Sequence, residues 1–574
     1  MSGLHPALVL FSAALLVGLT RGRLRQLVLV AGTLLALLSV YRLVPDASWS
    51  YELSSYQLQL LRVDPLSKLF GLIFCLIAAI GTVYALHAPR GGEHAATLVY
   101  AGGALGVVFA GDWITAFVFW ELMGMASVLV VWYGGTQRAG AAGLRYLFVH
   151  ILGGSLFFAG VVVHLARGGG VSLEPLGAAA TDGLAYALIL SGVAISAAIP
   201  PLHAWLTDAY PEASVTGTVF LSAFTTKTAV YLLIRAFPGA EILVWGGVIM
   251  ALYGVVFAVL ENDIRRLLAY HIVSQVGYMV AAVGIGTAGA LNGAAAHAFC
   301  HVLYKALLLM GAGAALQATG KRKLTELGGI GASMPLVFVL YTVGAFSISG
   351  VPLFSGFISK SMIVSAAAES GRPVVEMLLM LATVGTFLHT GLKLPYFTFF
   401  GPNRGLKPAP VPRNMLVGMG VAALLCLGLG LFPGWLYARL ATQPVDYDPY
   451  SVDHVVSALQ LLMGTGVGFW LLLGKLGGEP TVSLDADWLY RKPLPMAMSR
   501  LVSVARRTGS SLQASGLHLI ARAGRYFENP FLVLGGKPTD PAALAYDEDR
   551  YRQPIGLTIL WVVVFLALLA LIAW

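Results

Sequence analysis

Residues 290–317, ALNGAAAHAFCHVLYKALLLMGAGAALQ, form an apolar run long enough to cross a bilayer, and within it lie His297, His301 and Lys305. Gaps of four residues stack these three on one stripe of a helix. A lysine at the centre of a membrane helix costs about 2.5–3.5 kcal/mol on insertion scales, so three titratable groups in register need a cause, and the default cause is function. The plainer alternative has Lys305 snorkelling to the interface and the histidines satisfied within a core. Against it, about a dozen mostly apolar residues continue beyond Lys305, which leaves no helix end within easy reach.

Working outward, the whole chain shares the character of this run. With 58% hydrophobic and 11% charged residues over 574 positions and a mean hydropathy of +0.80, it lies far outside soluble globular usage and reads as an all-α polytopic membrane protein. Cys75, Cys300 and Cys426 sit in apolar runs without metal-ligand spacing, so neither a disulfide framework, a metal site nor a cofactor is indicated. The opening MSGLHPALVLFSAALLVGL lacks a basic n-region and a small-residue cleavage site, which points to a retained first helix.

About sixteen spans are expected, near 4–20, 27–44, 65–87, 95–110, 113–133, 143–167, 183–199, 213–236, 241–260, 265–287, 290–317, 334–368, 374–400, 414–437, 451–474 and 555–573. The seventh ends in Pro200-Pro201 with polar chain following, and the twelfth is interrupted at Gly350, Val351 and Pro352. Both read as broken helices, which in membranes line wet cavities and mark transport paths. Basic residues gather in alternate loops: Arg21, Arg23 and Arg25; Arg138; Arg265 and Arg266; Lys321, Arg322 and Lys323; Arg404, Lys407 and Arg413. The intervening loops carry acids such as Asp446, Asp448 and Asp453. By the positive-inside rule the basic loops are cytoplasmic and both termini lie outside. Much of the +9 net charge is therefore topological and gives no support to nucleic-acid binding.

Residues 475–554 form the one long polar excursion, on the cytoplasmic side by the same parity. Within it, 495–522 alternates Met, Leu, Val and Ile at helical spacing with Arg500, Arg506, Arg507 and Arg522, as an amphipathic helix does. Such a helix lies on the membrane surface or braces the bundle; a solvated linker is the alternative. The run Asp547, Glu548, Asp549 reads as a solvated face.

Further charges fall inside apolar spans. Glu121 lies near the middle of the fifth, and Lys227 sits among Thr225, Thr226 and Thr228 in the eighth, where Arg235 is expected to snorkel near the end. Lys360 follows the break of the twelfth, where an unwound turn would offer it carbonyls; Lys393, one turn after His389, is a weaker candidate near the end of the thirteenth. If Glu121, Lys227, the His297/His301/Lys305 stripe and Lys360 face one interior, they form an acid–base ladder able to hand protons along, because each group's proton affinity depends on its neighbours' charge.

These residues carry a family resemblance. FWELMGM around Glu121, IPPLHAWLTDAYPEAS at 199–214, TKTAVYLLIR at 226–235, NDIRRLLAYHIVSQVGY at 262–278, HAFCHVLYKALLL at 297–309 and GVPLFSGFISK at 350–360 recur in order. Together they resemble the antiporter-like subunits of Mrp-type cation/proton antiporters and respiratory complex I, most closely the D-type subunit of the Mrp Na+/H+ antiporters. The resemblance implies two inverted five-helix repeats with broken helices 7 and 12. It implies proton-path roles for Glu121, Lys227, His297, His301, Lys305 and Lys360, with Lys393, His203, Ser196, His271 and Asp263 as accessory candidates. The family usually places a lysine seven residues before His203; here that residue is Ser196, which cannot hold a charge beside Glu121. A C-terminal amphipathic stretch and last span are similar to the distal subunit of complex I.

The expected organisation is thus 1–94 N-terminal helices, 95–400 antiporter-like core, 401–474 additional helices, 475–554 cytoplasmic amphipathic segment and 555–574 anchor. The expected protein is a transporter subunit of a prokaryotic inner membrane rather than an enzyme by itself, moving protons and a monovalent cation, Na+ in the first instance, with other integral membrane subunits and lipids as partners. The alternatives are a proton-channel subunit of another energy-coupling complex and a non-conducting scaffold interrupted at Ser196.

Overall fold

The computed structural model describes residues 4–54, 56–177, 183–477, 485–528 and 555–572; the acidic run at 547–549 lies outside them. Residues 1–487 form one compact unit and 488–574 a second. In the first, α1 (Pro6–Leu19) and α2 (Gly22–Arg42) lead to an antiparallel hairpin, β1 (Ser48–Leu53) and β2 (Tyr56–Arg62). Then come α3 (Pro65–Ala85), α4 (Gly91–Phe109), α5 (Trp113–Trp132), α6 (Gln137–Ala166), α7 (Gly183–Ala197) and the short α8 (Ala204–Ala209). The chain continues through α9 (Gly217–Ala223), α10 (Thr225–Ala236), α11 (Glu241–Leu260), α12 (Ile264–Ile285), α13 (Ala288–Thr319), α14 (Pro335–Ser349) and α15 (Ser355–Glu369). It closes with α16 (Pro373–Thr386), α17 (Arg413–Leu431), a single turn α18 (Gly434–Tyr437), α19 (Val452–Leu472) and the start of α20 (Asp487–Arg491). The second unit holds α21 (Pro493–Glu528) and α22 (Ile555–Ile572).

Among the described residues, eleven helices are long and apolar enough to cross a membrane, counting α9–α10 as one. Shorter apolar helices fill the remaining expected spans at Pro6–Leu19, Gly183–Ala197, Pro335–Ser349 and Ile555–Leu569, as does α4. The chain is therefore a polytopic all-α membrane protein. The helices begin where short polar side chains satisfy free N–H groups: Asp64 with Ser67 makes a capping box at α3, and Asp112, Asp263 and Thr287 cap α5, α12 and α13.

Breaks occur at both expected places. Between α7 and α8 the chain passes through Ala198 at φ +62 and the cis Pro200–Pro201 bond, and α14 ends on Gly350 at φ +73, a left-handed position that suits glycine. A further interruption at Phe224 separates α9 from α10, and after α16 the helix widens to π-type turns at 387–393 and 396–400. Helix α13 is the hub, packed against α3, α9, α10, α12, α14, α15 and α17.

The loops meet in two layers. On one face, which carries the basic loops, Arg322 pairs with Glu212 at 2.9 Å and Asp263 at 2.7 Å, and Arg265 donates to the carbonyls of Ala213 and Ser214. On the other, Gln59 N–H of the hairpin donates to Asp112 at 2.7 Å, and Arg372 pairs with Glu241 at 2.7 Å. Arg235, near the end of α10, reaches an acidic partner on this face. Its guanidinium binds both oxygens of Asp64 at 2.5 Å and packs over the Tyr231 ring, joining α10 to α3. A bidentate, charge-assisted pair at a half-buried site is among the stronger polar contacts available. Asp64→Ala should therefore lower the stability of the detergent-solubilised protein by about 1.5–3 kcal/mol, since it strands the guanidinium and removes the α3 cap; thermal unfolding followed by tryptophan fluorescence measures it.

Candidate functional site

The side chains that α13 carries inward set the site. His297, His301 and Lys305 are all fully buried, which removes the snorkelling alternative for Lys305. His297 Nδ1 lies 2.9 Å from Ser359 Oγ on α15, and its Nε2 lies 3.3 Å from the Tyr304 hydroxyl. The His297 and His301 rings stand 6.3 Å apart, and His301 meets Tyr304 edge-on at 5.2 Å. Both His301 nitrogens and Lys305 Nζ lack a hydrogen-bond partner among the described residues. Buried polar atoms left unpaired by protein need water or a mobile proton to be tolerable at membrane depth.

Two broken helices deliver the lysines on either side. Lys227 is fully buried and donates to the Ser222 carbonyl at 2.6 Å and to Thr226 Oγ1 at 3.1 Å, the carbonyl being available because α9 stops at Ala223. Lys360 donates to the Ile348 carbonyl at 2.8 Å, freed by the α14–α15 break, and its ammonium sits 5.1 Å from the Tyr278 ring centre. Lys305 lies within electrostatic reach of Lys227, His301 of Lys227, Lys305, His297 and Lys360, and His297 of both Lys360 and Lys227. The structure thus brings Lys227, Lys305, His301, His297 and Lys360 together as one buried row of groups within mutual electrostatic reach. From Lys360 a cavity of about 270 Å³, lined also by Ser361, Glu376 and His454, reaches the exposed Asp453 on the face opposite the basic loops.

A branch leaves the row on α12. His271 is fully buried, has no partner on either nitrogen among the described residues, and lies within electrostatic reach of Lys305 and His389. His389 in turn is near Lys393, whose ammonium donates to the Val259 carbonyl at 2.8 Å beside Glu261 on the basic face. Lys393 itself is buried. The residue that sequence reasoning underrated is His389; the signal was its place one turn before Lys393.

Glu121 stands apart from the row. It is half-buried in the groove between α5 and α6, held close against Gly154, where any side chain would collide with its carboxylate. Among the described residues it has no hydrogen bond or ion pair, and Ser196 is buried with its hydroxyl unpartnered. Beside Glu121, in a cavity of about 20 Å³, lies His150, its ring tilted against Tyr146 at 4.2 Å and edge-on to Trp205 at 4.6 Å. Sequence reasoning missed His150, although a histidine inside the sixth apolar span was a visible signal. Asp263 caps α12 and pairs with Arg322 on the basic face, a tie between loops rather than a member of the row.

This architecture, a polytopic bundle with broken helices around buried lysines, defines an antiporter-like membrane protein. The family model of the NADH:quinone oxidoreductase/Mrp antiporter transmembrane region matches residues 110–388, and the chain belongs to that family. It is 30% identical over 476 residues to NADH-quinone oxidoreductase subunit N of Desulforudis audaxviator, covering 74% of this chain and 94% of that one. It is 29% identical over 371 residues to the D-type subunit of the Na(+)/H(+) antiporter of Alkalihalophilus pseudofirmus, covering 60% and 74%. Its fold is similar to a chain of the membrane-bound sulfane sulfur reductase, an archaeal respiratory membrane complex, with a TM-score of 0.71, 22% identity and 99% of both chains covered.

The three native cysteines are buried and leave a silent background for thiol labelling. Ser361→Cys, in the cavity wall, should react with a water-soluble maleimide more than about tenfold faster than His301→Cys, which lies in the closed interior. Mass spectrometry of the labelled protein reads the difference.

Proposed function

We propose that this chain is the proton-translocating subunit of a multisubunit membrane complex of the Mrp type, in which proton flow is exchanged for a monovalent cation such as Na+. The observation that carries the reading is the buried row Lys227–Lys305–His301–His297–Lys360. Two ammonium groups within reach of one another in a low-dielectric interior disfavour each other's charge, so a proton arriving at Lys227 lowers the affinity at Lys305. The neutral imidazoles of His301 and His297 accept on one nitrogen and release from the other, which carries the proton towards Lys360. Lys360 then discharges into the cavity lined by Glu376 and Asp453.

On this reading the basic face is cytoplasmic, the termini lie outside, and the protein sits in a prokaryotic inner membrane among other integral subunits. A second reading, a proton-channel subunit of a respiratory complex, is favoured by the fold match over 99% of the chain, beyond α19 included. Membrane vesicles containing the intact complex test both. Lys227→Ala and Lys305→Ala should each reduce proton flux by about 10²-fold; full flux in both removes the ladder. Flux that follows an imposed Na+ gradient supports the Mrp-type reading, whereas flux that appears only with quinone reduction supports the respiratory one. A wild-type complex that moves no protons under either condition is a scaffold. Gain of flux in Ser196→Lys would identify the serine as limiting.

A further inference from the structure

Asp485, which follows α19 on the basic face, has its carboxylate fully enclosed between the break of α7–α8, α11 and α12. His203 Nε2 lies 3.2 Å from Asp485 Oδ1 and 3.3 Å from Oδ2. The hydroxyl of Tyr253 donates to Oδ1 at 2.5 Å and that of Tyr270 to Oδ2 at 2.6 Å. The Tyr253 ring also meets the His203 ring edge-on at 4.6 Å. Three side chains from three helices thus converge on one acid delivered from outside the helical core.

Two features separate this cluster from an ordinary tether. A tether needs no titratable partner, yet the residue that Asp485 grips is a histidine whose other nitrogen, Nδ1, is buried and unpartnered among the described residues. A carboxylate on Nε2–H fixes the tautomer that leaves Nδ1 as the acceptor and balances the charge once the ring is protonated. Burial by itself would favour the neutral acid, but the His203 ring and the two phenols outweigh it and hold the Asp485 carboxyl below the usual carboxylate range. Its charge is therefore complete at neutral pH, and its contribution to the fold is lost only as pH falls through that lower value. The next charged groups around the cluster are Arg266 and Glu261, paired with each other at 3.4 Å on the same face.

We propose that Asp485 is a positioning residue for proton translocation: it orients His203 and supplies the counter-charge that lets this histidine take up and release a proton at the cytoplasmic end of the bundle. The exchange is balanced at one atom. Nδ1 accepts a proton from hydronium entering at the basic face, leaving water and an imidazolium paired with the Asp485 carboxylate; on release the same Nδ1–H bond breaks as a water molecule takes the proton, while the Nε2–H bond stays in place. The segment after α19 then contributes a side chain to transport, in addition to holding the chain to the bundle.

The proposal rests on the proton-translocating reading above, and the test separates the two. In vesicles holding the intact complex, proton flux is measured against cytoplasmic-side pH for wild type, Asp485→Asn, Asp485→Glu and His203→Gln. Co-purification of the other subunits reports assembly. Asp485→Asn should lose about tenfold in flux at neutral pH and change the shape of the pH profile, because a neutral amide supplies no counter-charge to the site. Asp485→Glu should restore most of the flux. His203→Gln, which keeps a donor to Asp485 but cannot cycle a proton, should assemble and lose flux at every pH. An assembled Asp485→Asn complex with the wild-type profile, or a loss of equal factor at all pH values that Asp485→Glu does not repair, overturns the assignment and leaves a structural clasp. Should Asp485→Asn fail to assemble, wild-type flux in His203→Gln overturns it equally. A silent wild type would instead defeat the proton-translocating reading itself.

Discussion

Everything in this fold answers to the burial of Lys305. Its ammonium lies fully enclosed on α13 and receives no hydrogen bond from the protein among the described residues. A charge in such a place is costly unless it is hydrated, paired or lost. Among the described residues the surroundings supply no carboxylate to pair it; they supply other bases. On the proton-translocating reading, a row whose members share protons offsets that cost. Helix α13 can hold such a row because it is the hub of the first unit, surrounded by other helices that exclude lipid from it.

The interruptions of neighbouring helices make the row usable. An intact helix bonds its own carbonyls, so it has nothing to offer a lysine at mid-membrane. Ending α9 at Ala223 and α14 at Ser349 releases the Ser222 and Ile348 carbonyls, and these are the acceptors that Lys227 and Lys360 use. The same breaks give each lysine a polar alternative to its neighbour in the row, which is the condition for passing a proton without stranding a bare charge. The ion pairs among the loops, Arg322 with Glu212 and Asp263 on one face and Arg235 with Asp64 on the other, hold the interrupted pieces in register.

Much of this was legible in the residues, for reasons that differ from element to element. The periodicity of 290–317 placed three titratable groups on one stripe, because spacing by four is local information. Pro200-Pro201 and Gly350–Pro352 announced two breaks, since proline and glycine act on their own backbone. The break at Phe224 and the π-turns after Thr386 were not legible; nothing in TTKTAV or FLHTGLK marks them, and both arise from packing. The hairpin at 48–62 escaped because its strands lie in a short polar interval that a search for apolar runs passes over. The sixth helix begins at Gln137, earlier than the apolar run at 143, since its first turns are capped by Thr136 and lie at the basic face. The pairing of Arg235 with Asp64 left no trace because the two are 171 residues apart. For the same reason the meeting of Asp485 with His203, separated by 282 residues, left no trace in either motif. Glu121 shows the opposite limit: its motif matches the family, yet the structure sets it in the α5–α6 groove, away from the row.

The central claim is that Lys227 and Lys360 lie on one path through α13 and not on two independent ones. Proton flux in vesicles of the intact complex, compared for Lys227→Ala, Lys360→Ala and the double variant, tests it most directly. A single series path predicts that each substitution alone removes nearly all flux and that the double variant is no slower than the slower single one. Two parallel paths would leave about half the flux in each single variant and abolish it only in the double, and that result would contradict the account.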